Sequence, residues 1–435
     1  MQNLLEKELL FNEIINYYSE GESLKETVGL EYERISLDGT NFKQADFNNL
    51  TDIIKIFSKE NNFELLYDNS TVIGAFDKKG TSVSLEPGGQ FEISLAPKSS
   101  LYEIQFLMQK YLNQIDNLGD MFNTKFFAIG SNPNNCYHEM KILNKTRYKI
   151  MADYLIKKGK FAPVMMRETA GVQINIDYKD ELDAELKIKT SLLMSPFLTG
   201  FFANSPFRGN KLTKYKSIRA LAWKFTGYDR CNLFYGDVLD LKGNLYSNYA
   251  NSILDVPMIY IERNNNPVLI NGKITFRDFM KNGFEGHNAI IKDYILHQSL
   301  CFPDVRLKNC IEIRNHDSQN LEVAIGIAAI YKGILYNKKN TEKVLRLLSS
   351  LNSFDIEKAG FLAAKFGVNF KIEKLNKYCF EIVEDILSIA KDGLNQDEKK
   401  YLNFLIDLIK SRKCIADLVL ENIEQNAEKS AYKNY

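Results

Sequence analysis

The sequence predicts an α+β fold: a body of short strands and helices followed by a helical cap. Three observations carry that reading. Several short runs alternate apolar and polar residues, which is strand spacing. Elsewhere apolar residues recur every three or four positions, most clearly over 101–118, which is helical spacing. From about residue 340 the chain turns rich in Lys, Glu and Leu, and only the helical period remains. A main domain over 1–338 is therefore expected, with a helical region over 339–435 packed on it.

Residues 1–20 place Leu4, Leu5, Leu9, Ile14, Ile15 and Tyr18 on roughly one helical face, and Gly21 ends the run. Residues 26–37 read as a strand. Val28, Leu30, Tyr32 and Arg34 share one face, while Gly29, Glu31, Glu33 and Ile35 share the other. Glu31 and Glu33 then stand about 7 Å apart on one side of the strand. A helix over 46–61 and strands over 63–67 and 71–76 lead to the stretch 83–94. There Val83, Leu85, Phe91 and Ile93 alternate around a Pro87-Gly88-Gly89 turn. A hairpin at this point brings Glu86 and Glu92 towards each other, and its glycines would let backbone approach a ligand closely.

The helix over 101–118 is followed by a strand at 126–130, a loop at 131–135 and a helix at 144–156. Val164–Asp177 alternates throughout and is predicted as one strand. Its polar face, with Arg167, Gln173 and Asn175, either lines a cavity or lies exposed on an antiparallel sheet. A helix over 181–202 breaks at Asn204-Ser-Pro-Phe207. A basic loop from Arg208 to Arg219 leads to the only tryptophan, Trp223. An apolar strand follows at 256–262, and a helix capped by Thr275 over 275–281. Val305–Arg314 alternates again, with Arg306, Lys308, Glu312 and Arg314 among its even positions. A buried helix is expected at 321–336, and cap helices at 361–366, 379–390, 402–409 and 415–423.

Composition narrows the function. Lys and Arg total 56 against 55 Asp and Glu in 435 residues, so no net charge draws the chain to nucleic acid or membrane. No run approaches 18 uninterrupted apolar residues. The N-terminus lacks a basic region followed by an apolar core, and a cytoplasmic location is expected. The six cysteines (136, 231, 301, 310, 379, 414) form no CxxC pair, and free thiols are expected, with a Cys301–Cys310 bridge left open. None of the four histidines stands in a zinc-ligand spacing.

The chemistry collects on the strands. Four carboxylates among Glu31, Glu33, Glu86, Glu92 and Glu312 gathered on one sheet face would need divalent cations, and hard oxygen donors suit Mg²⁺ or Mn²⁺. Carboxylate-held Mg²⁺ commonly serves a nucleoside triphosphate. The chain has no GxxxxGK[ST] and no strand-linked GxGxxG, so Arg and Lys side chains would handle the phosphates.

At these positions the sequence resembles the glutamate–cysteine ligases of the plant and proteobacterial type. The resemblance rests on Gly29-Leu-Glu-Tyr-Glu33, Leu85-Glu-Pro-Gly-Gly-Gln-Phe-Glu-Ile-Ser94, Arg147-Tyr148, Met166-Arg-Glu-Thr169 and Val172-Gln-Ile-Asn-Ile-Asp177. Phe202-Ala-Asn-Ser-Pro-Phe207, Asp229-Arg230, Asp255-Val-Pro-Met258 and Glu312-Ile-Arg314 extend it, in register from about 29 to 336.

The resemblance implies a curved antiparallel sheet forming a funnel, related to glutamine synthetase, with helices packed outside. It implies ATP-dependent joining of the L-glutamate γ-carboxylate to the amine of L-cysteine, the first step of glutathione biosynthesis. Glu31, Glu33, Glu86, Glu92 and Glu312 would be ligands of two or three Mg²⁺ ions, Mn²⁺ being an alternative. Arg314 and Arg230 would be catalytic; Arg167, Arg219, Gln173 and Asn175 would bind substrate. The partners would be small molecules alone, on a monomer or homodimer. Glu168, the basic loop 208–218 and the segment 283–297 depart from the family pattern and bear on the amine pocket. A ligase with another amine acceptor, and a non-catalytic nucleotide-binding relative, are the alternatives.

Overall fold

The computed structural model describes residues 2–231, 239 and 243–425. The last ten residues of the expected cap lie outside the described residues.

Nine strands form one antiparallel sheet. They are β1 (Val28–Asp38), β2 (Glu64–Asp68), β3 (Thr71–Phe76), β4 (Ser82–Leu85), β5 (Phe91–Lys98), β6 (Thr124–Phe127), β7 (Gly171–Ile176), β12 (Val305–Leu307) and β13 (Ile311–Asp317). Separate hairpins are β8–β9 (Phe207–Arg208, Lys211–Leu212), β10–β11 (Tyr260–Arg263, Asn266–Leu269) and β14–β15 (Lys371–Ile372, Lys377–Tyr378). The sheet runs β12-β13-β7-β1-β5-β4-β3-β2 and stays open. The first half of β1 pairs with β5 and β7, and its second half, Ile35–Asp38, pairs with β6. The α+β antiparallel architecture expected from the sequence is the one observed.

Alternation sorts the two faces of this sheet. Leu30, Tyr32, Val83, Leu85, Phe91, Ile93, Val172, Ile174, Ile311 and Ile313 are buried on one face. Helices α3 (Leu101–Met121) and Leu321–Leu335 cover it. Ser100 caps α3 by accepting from the Glu103 N–H at 3.4 Å. The other face carries Glu31, Glu33, Ser84, Glu92, Ser94, Gln173, Asn175, Glu312 and Arg314. Further helices are α1 (Gln2–Ser19), α2 (Phe47–Asn61), α4 (Thr146–Leu155), α5 (Ala162–Glu168), α6 (Glu181–Phe201) and α7 (Ile218–Lys224).

The C-terminal helices pack on α6 and on Leu321–Leu335. Helix Ser353–Phe366 comes so near α6 that a Cβ on Gly200 would lie 2.3 Å from the Gly367 carbonyl oxygen. Glu398 ties this region to the sheet side by accepting from the Leu101 N–H at 3.0 Å and pairing with Lys332 at 2.6 Å.

Two of the expected strands are corrected. Residues 164–177 are helix α5 followed by β7, not one strand. Pro163 opens the helix, and Val-Met-Met-Arg-Glu continues it with good helix formers. The alternation seen there is a coincidence of two short elements. Residues 305–314 fold back as the β12–β13 hairpin, so Arg306 stands directly across from Glu312. Helices Leu245–Leu254 and Ile291–Ser299 are additional to those expected.

Candidate active site

The sheet places its acids by register. Glu33 is directly opposite Glu92 across β1–β5, and Ser84 faces Glu92 from β4. Glu31 faces Gln173 on β7, and Glu312 faces Asn175. Glu86 enters from the turn after β4, where the Glu86 N–H donates to Gln90 O and the Gly89 N–H returns to Glu86 O, both at 2.9 Å. Gly89 adopts φ +82°, which accounts for that glycine. Gly88 serves a different contact from the one expected: a Cβ there would lie 2.1 Å from the Arg167 carbonyl oxygen. The close approach is to helix α5 rather than to a ligand.

These side chains line a cavity of about 410 Å³. Its wall includes Glu31, Glu33, Glu86, Glu92, Gln173, Arg219, Glu312 and Arg314 from the expected set. Lys145, Arg147, Tyr148, Trp223, Ser299, Arg306 and Lys308 join them. The sequence held a signal for most of these. Arg147-Tyr148 sits inside the motifs that carried the resemblance, and Arg306 and Lys308 lie on the alternating stretch Val305–Arg314, all without an assigned role.

Like charges directly opposed on a sheet repel. Burial raises the Glu33 carboxyl to about 7, the neighbouring Glu86 adds to the rise, and Arg219 opposes it. Glu92 is raised well above the carboxylate range by burial and by Glu86, Glu31 and Glu33. The bonds that hold these acids come mostly from neutral donors. Glu33 accepts from the Gly171 N–H at 2.6 Å and from Gln173 Nε2 at 3.2 Å. Glu31 accepts from Asn175 Nδ2 at 2.7 Å, Glu86 from the Tyr148 hydroxyl at 3.3 Å, and Glu92 from the Ser94 hydroxyl at 2.8 Å.

Glu312 differs from the other four acids. Its oxygens accept from Arg306 Nε at 2.6 Å, Lys308 Nζ at 2.6 Å and Arg314 Nη1 at 3.1 Å. Burial alone would raise this carboxyl, but the three cations outweigh it and hold the group well below the usual range.

A metal fits the first four acids on chemistry. Their donors are all oxygen, and the groups bonded to them are mostly neutral. Among the described residues no three His, Cys, Asp or Glu side chains close into a metal cage. Mg²⁺ does not require one, because it retains several waters and takes one or two carboxylates with substrate phosphates. Glu312 is already matched by cations, so the case for a metal rests on Glu31, Glu33, Glu86 and Glu92.

Arg167, Arg230 and Asn175 lie outside the cavity wall. Arg167 is on α5 and donates to the carbonyls of Tyr137 at 3.0 Å and Met140 at 3.3 Å. Arg230 is fully buried and donates to the carbonyls of Leu300 at 3.0 Å and Pro257 at 2.9 Å. It thereby braces the segment that carries Ser299 and Phe302 into the cavity. Asn175 acts through Glu31. His297 and His316 are buried, and their imidazoles are pushed down to about 3, mainly by burial. All six cysteines are free.

Two departures from the family pattern turn out to be one feature. Glu168 is fully buried and accepts from Arg208 Nε at 2.6 Å, Arg208 Nη2 at 2.8 Å and the Tyr137 N–H at 2.7 Å. The acid and Arg208 of the basic loop neutralise each other, and neither is part of the cavity wall.

The raised Glu33 carboxyl has a pH signature. Its folded value of about 7 exceeds the ordinary carboxylate value of the unfolded chain, so the folded state holds the extra proton. This contribution is fully present below about pH 4.5 and is lost as pH rises through about 7. Urea midpoints of the metal-free protein should show this loss, and Glu33→Gln should flatten the difference across that window. Parallel curves for both proteins would contradict the assignment.

The comparisons with known proteins put this open antiparallel sheet, with acids on one face and arginines beside them, in the class of acid–amine ligases. The chain belongs to Glutamate-cysteine ligase family 2 (GCS2), whose model matches residues 27–433. Glutamate–cysteine ligase B, chloroplastic, of Oryza sativa subsp. japonica is 30% identical over 382 residues, spanning 87% of this chain and 76% of that protein. The chloroplastic glutamate–cysteine ligase of Medicago truncatula is 28% identical, over 94% of this chain and 81% of its own length. Among solved structures, a glutamate–cysteine ligase from Francisella tularensis in complex with AMP shares the fold, with TM-score 0.57 and 10% identity over 93% of this chain and 86% of that one. These plant relatives are named chloroplastic, which overturns the cytoplasmic location expected from the sequence. No described helix is long and apolar enough to cross a membrane.

Proposed function

We propose that the cavity joins the γ-carboxylate of L-glutamate to the amine of L-cysteine, with ATP as co-substrate, through a γ-glutamyl phosphate. The observation that carries this reading is the cross-strand pair Glu33–Glu92, with Glu31 and Glu86 beside it. Fixed carboxylates in that number call for cations, and a triphosphate is the ligand that brings them.

A carboxylate does not react with an amine at neutral pH, because oxide is a poor leaving group. Phosphorylation supplies a good one. Two or three Mg²⁺ ions, or Mn²⁺ in their place, would be held by Glu31, Glu33, Glu86 and Glu92 and would neutralise the triphosphate. Arg314 and Arg219 present guanidinium groups that suit carboxylate and phosphate oxygens better than lysine would. Gln173 tethers one end of the Arg314 guanidinium by accepting from its Nη1. Lys145 faces Glu86, and burial holds its ammonium below the ordinary lysine value. Met151, Met165, Met166 and Phe302 form the apolar part of the wall and help to exclude water from a hydrolysable acyl phosphate.

The test is ADP release with glutamate across a panel of amines. Release stimulated by cysteine above glycine, alanine and 2-aminobutyrate is expected. Equal stimulation by another amine would move the assignment to a ligase with that acceptor. Absence of any glutamate-dependent release would end the ligase reading.

A further inference from the structure

We infer that Trp223, the chain's only tryptophan, is a positioning residue that fixes the guanidinium planes of Arg219 and Arg314. The inference rests on the ligase reading of the cavity and assigns a role to a side chain that reading does not use. Arg219 and Trp223 are four residues apart on α7 and share one helix face. The Arg219 guanidinium carbon lies 5.8 Å from the indole centroid. Arg314 arrives from β13, and its guanidinium carbon lies 5.7 Å from the same centroid. All three side chains line the cavity.

Two guanidinium groups held this near each other repel. Their own hydrogen bonds do not settle their orientation. Arg219 Nη2 donates to the Arg314 carbonyl at 2.9 Å, while Arg219 Nη1 is buried with no partner among the described residues. The side-chain bonds of Arg314 all leave from Nη1, to Gln173 Oε1 and to Glu312 Oε2. Arg219, held by one bond, still turns about that contact, and both bonds of Arg314 lie at one end of its guanidinium, so its Nε and Nη2 have no hydrogen-bond partner among the described residues. An aromatic ring attracts a guanidinium and orients it, and here one indole does so for both. The indole is placed by packing rather than by a bond of its own. Its Nε1 is buried without a partner among the described residues, and Phe302 lies tilted against the ring at 5.6 Å between centroids. Trp223 therefore sets where two arginines offer their remaining N–H groups to an anion.

The experiment combines kinetics with the emission of this lone tryptophan. In the wild-type protein, saturating glutamate with Mg²⁺ and a non-hydrolysable ATP analogue should shift the emission. Trp223→Leu should lower kcat/KM for glutamate about tenfold or more, and Trp223→Phe should recover most of that loss. Arg314→Ala in the Trp223→Leu background should cost less than about threefold beyond Arg314→Ala alone, since both changes remove one arrangement. Full activity in Trp223→Leu, losses that multiply in the double variant, or a Phe variant no better than Leu would overturn the inference. Should the Leu variant not fold, the wild-type emission and the Phe variant decide: unmoved emission overturns it. Absence of turnover in the wild-type protein overturns the ligase reading itself, and this inference with it.

Discussion

Glu33→Ala is expected to lower Mg²⁺-dependent, glutamate-stimulated ADP release by about 10²–10³-fold or more. Glu33 stands at the centre of the acid set: Glu92 is directly across from it, and Gly171 and Gln173 fix its oxygens. Removing it takes away a charge that no other residue supplies at that register position. The fold should survive the change. The lost carboxylate is one that burial and like charges already disfavour. Thermal unfolding without metal at pH 8 should therefore be unchanged or raised. Low activity with intact stability is the signature of a functional acid. Wild-type turnover in the variant would sink the metal-site assignment.

Arg208→Ala should produce the opposite pattern, a loss of stability with little change in the chemistry. The substitution leaves Glu168 buried and ionisable beside one backbone donor. Breaking a fully enclosed pair costs about 3–5 kcal/mol, and a value of about 2–3 kcal/mol is expected here because Arg208 reaches the surface. Its side chain is 26% exposed, against 0% for Glu168. Urea unfolding measures the loss. Glu168→Gln with Arg208→Ala should recover part of it, since the buried charge is then gone. A single Arg208→Ala variant as stable as wild type would show that Glu168 finds another partner.

The candidate acids were legible because strand periodicity is local. Glu31 and Glu33 fall on one face whatever the rest of the chain does, and the Pro87-Gly88-Gly89 turn returns Glu92 towards Glu86. The same locality misled at 164–177, where helix and strand happen to share an alternating pattern. Arg167 and Arg230 were expected at the site as matches to a motif. Their environments, carbonyls of Tyr137 and Met140 in one case and of Leu300 and Pro257 in the other, depend on segments far away in sequence. Glu168 and Arg208, 40 residues apart, gave no sign of being partners.

The sequence by itself determined the α+β class, the polar faces of the strands and the membership in an acid-rich ligase family. The first two follow from side-chain alternation and turn chemistry, which act over a few residues; the third was carried by the resemblance of its motifs. Only the tertiary structure decided which charges meet. Register put Glu33 against Glu92 and Arg306 against Glu312. In the first pair burial and neighbouring acids push the Glu92 carboxyl up; the second is already neutralised by Arg306, Lys308 and Arg314. Electrostatic energy depends on distance and on burial, and neither is written in residue order.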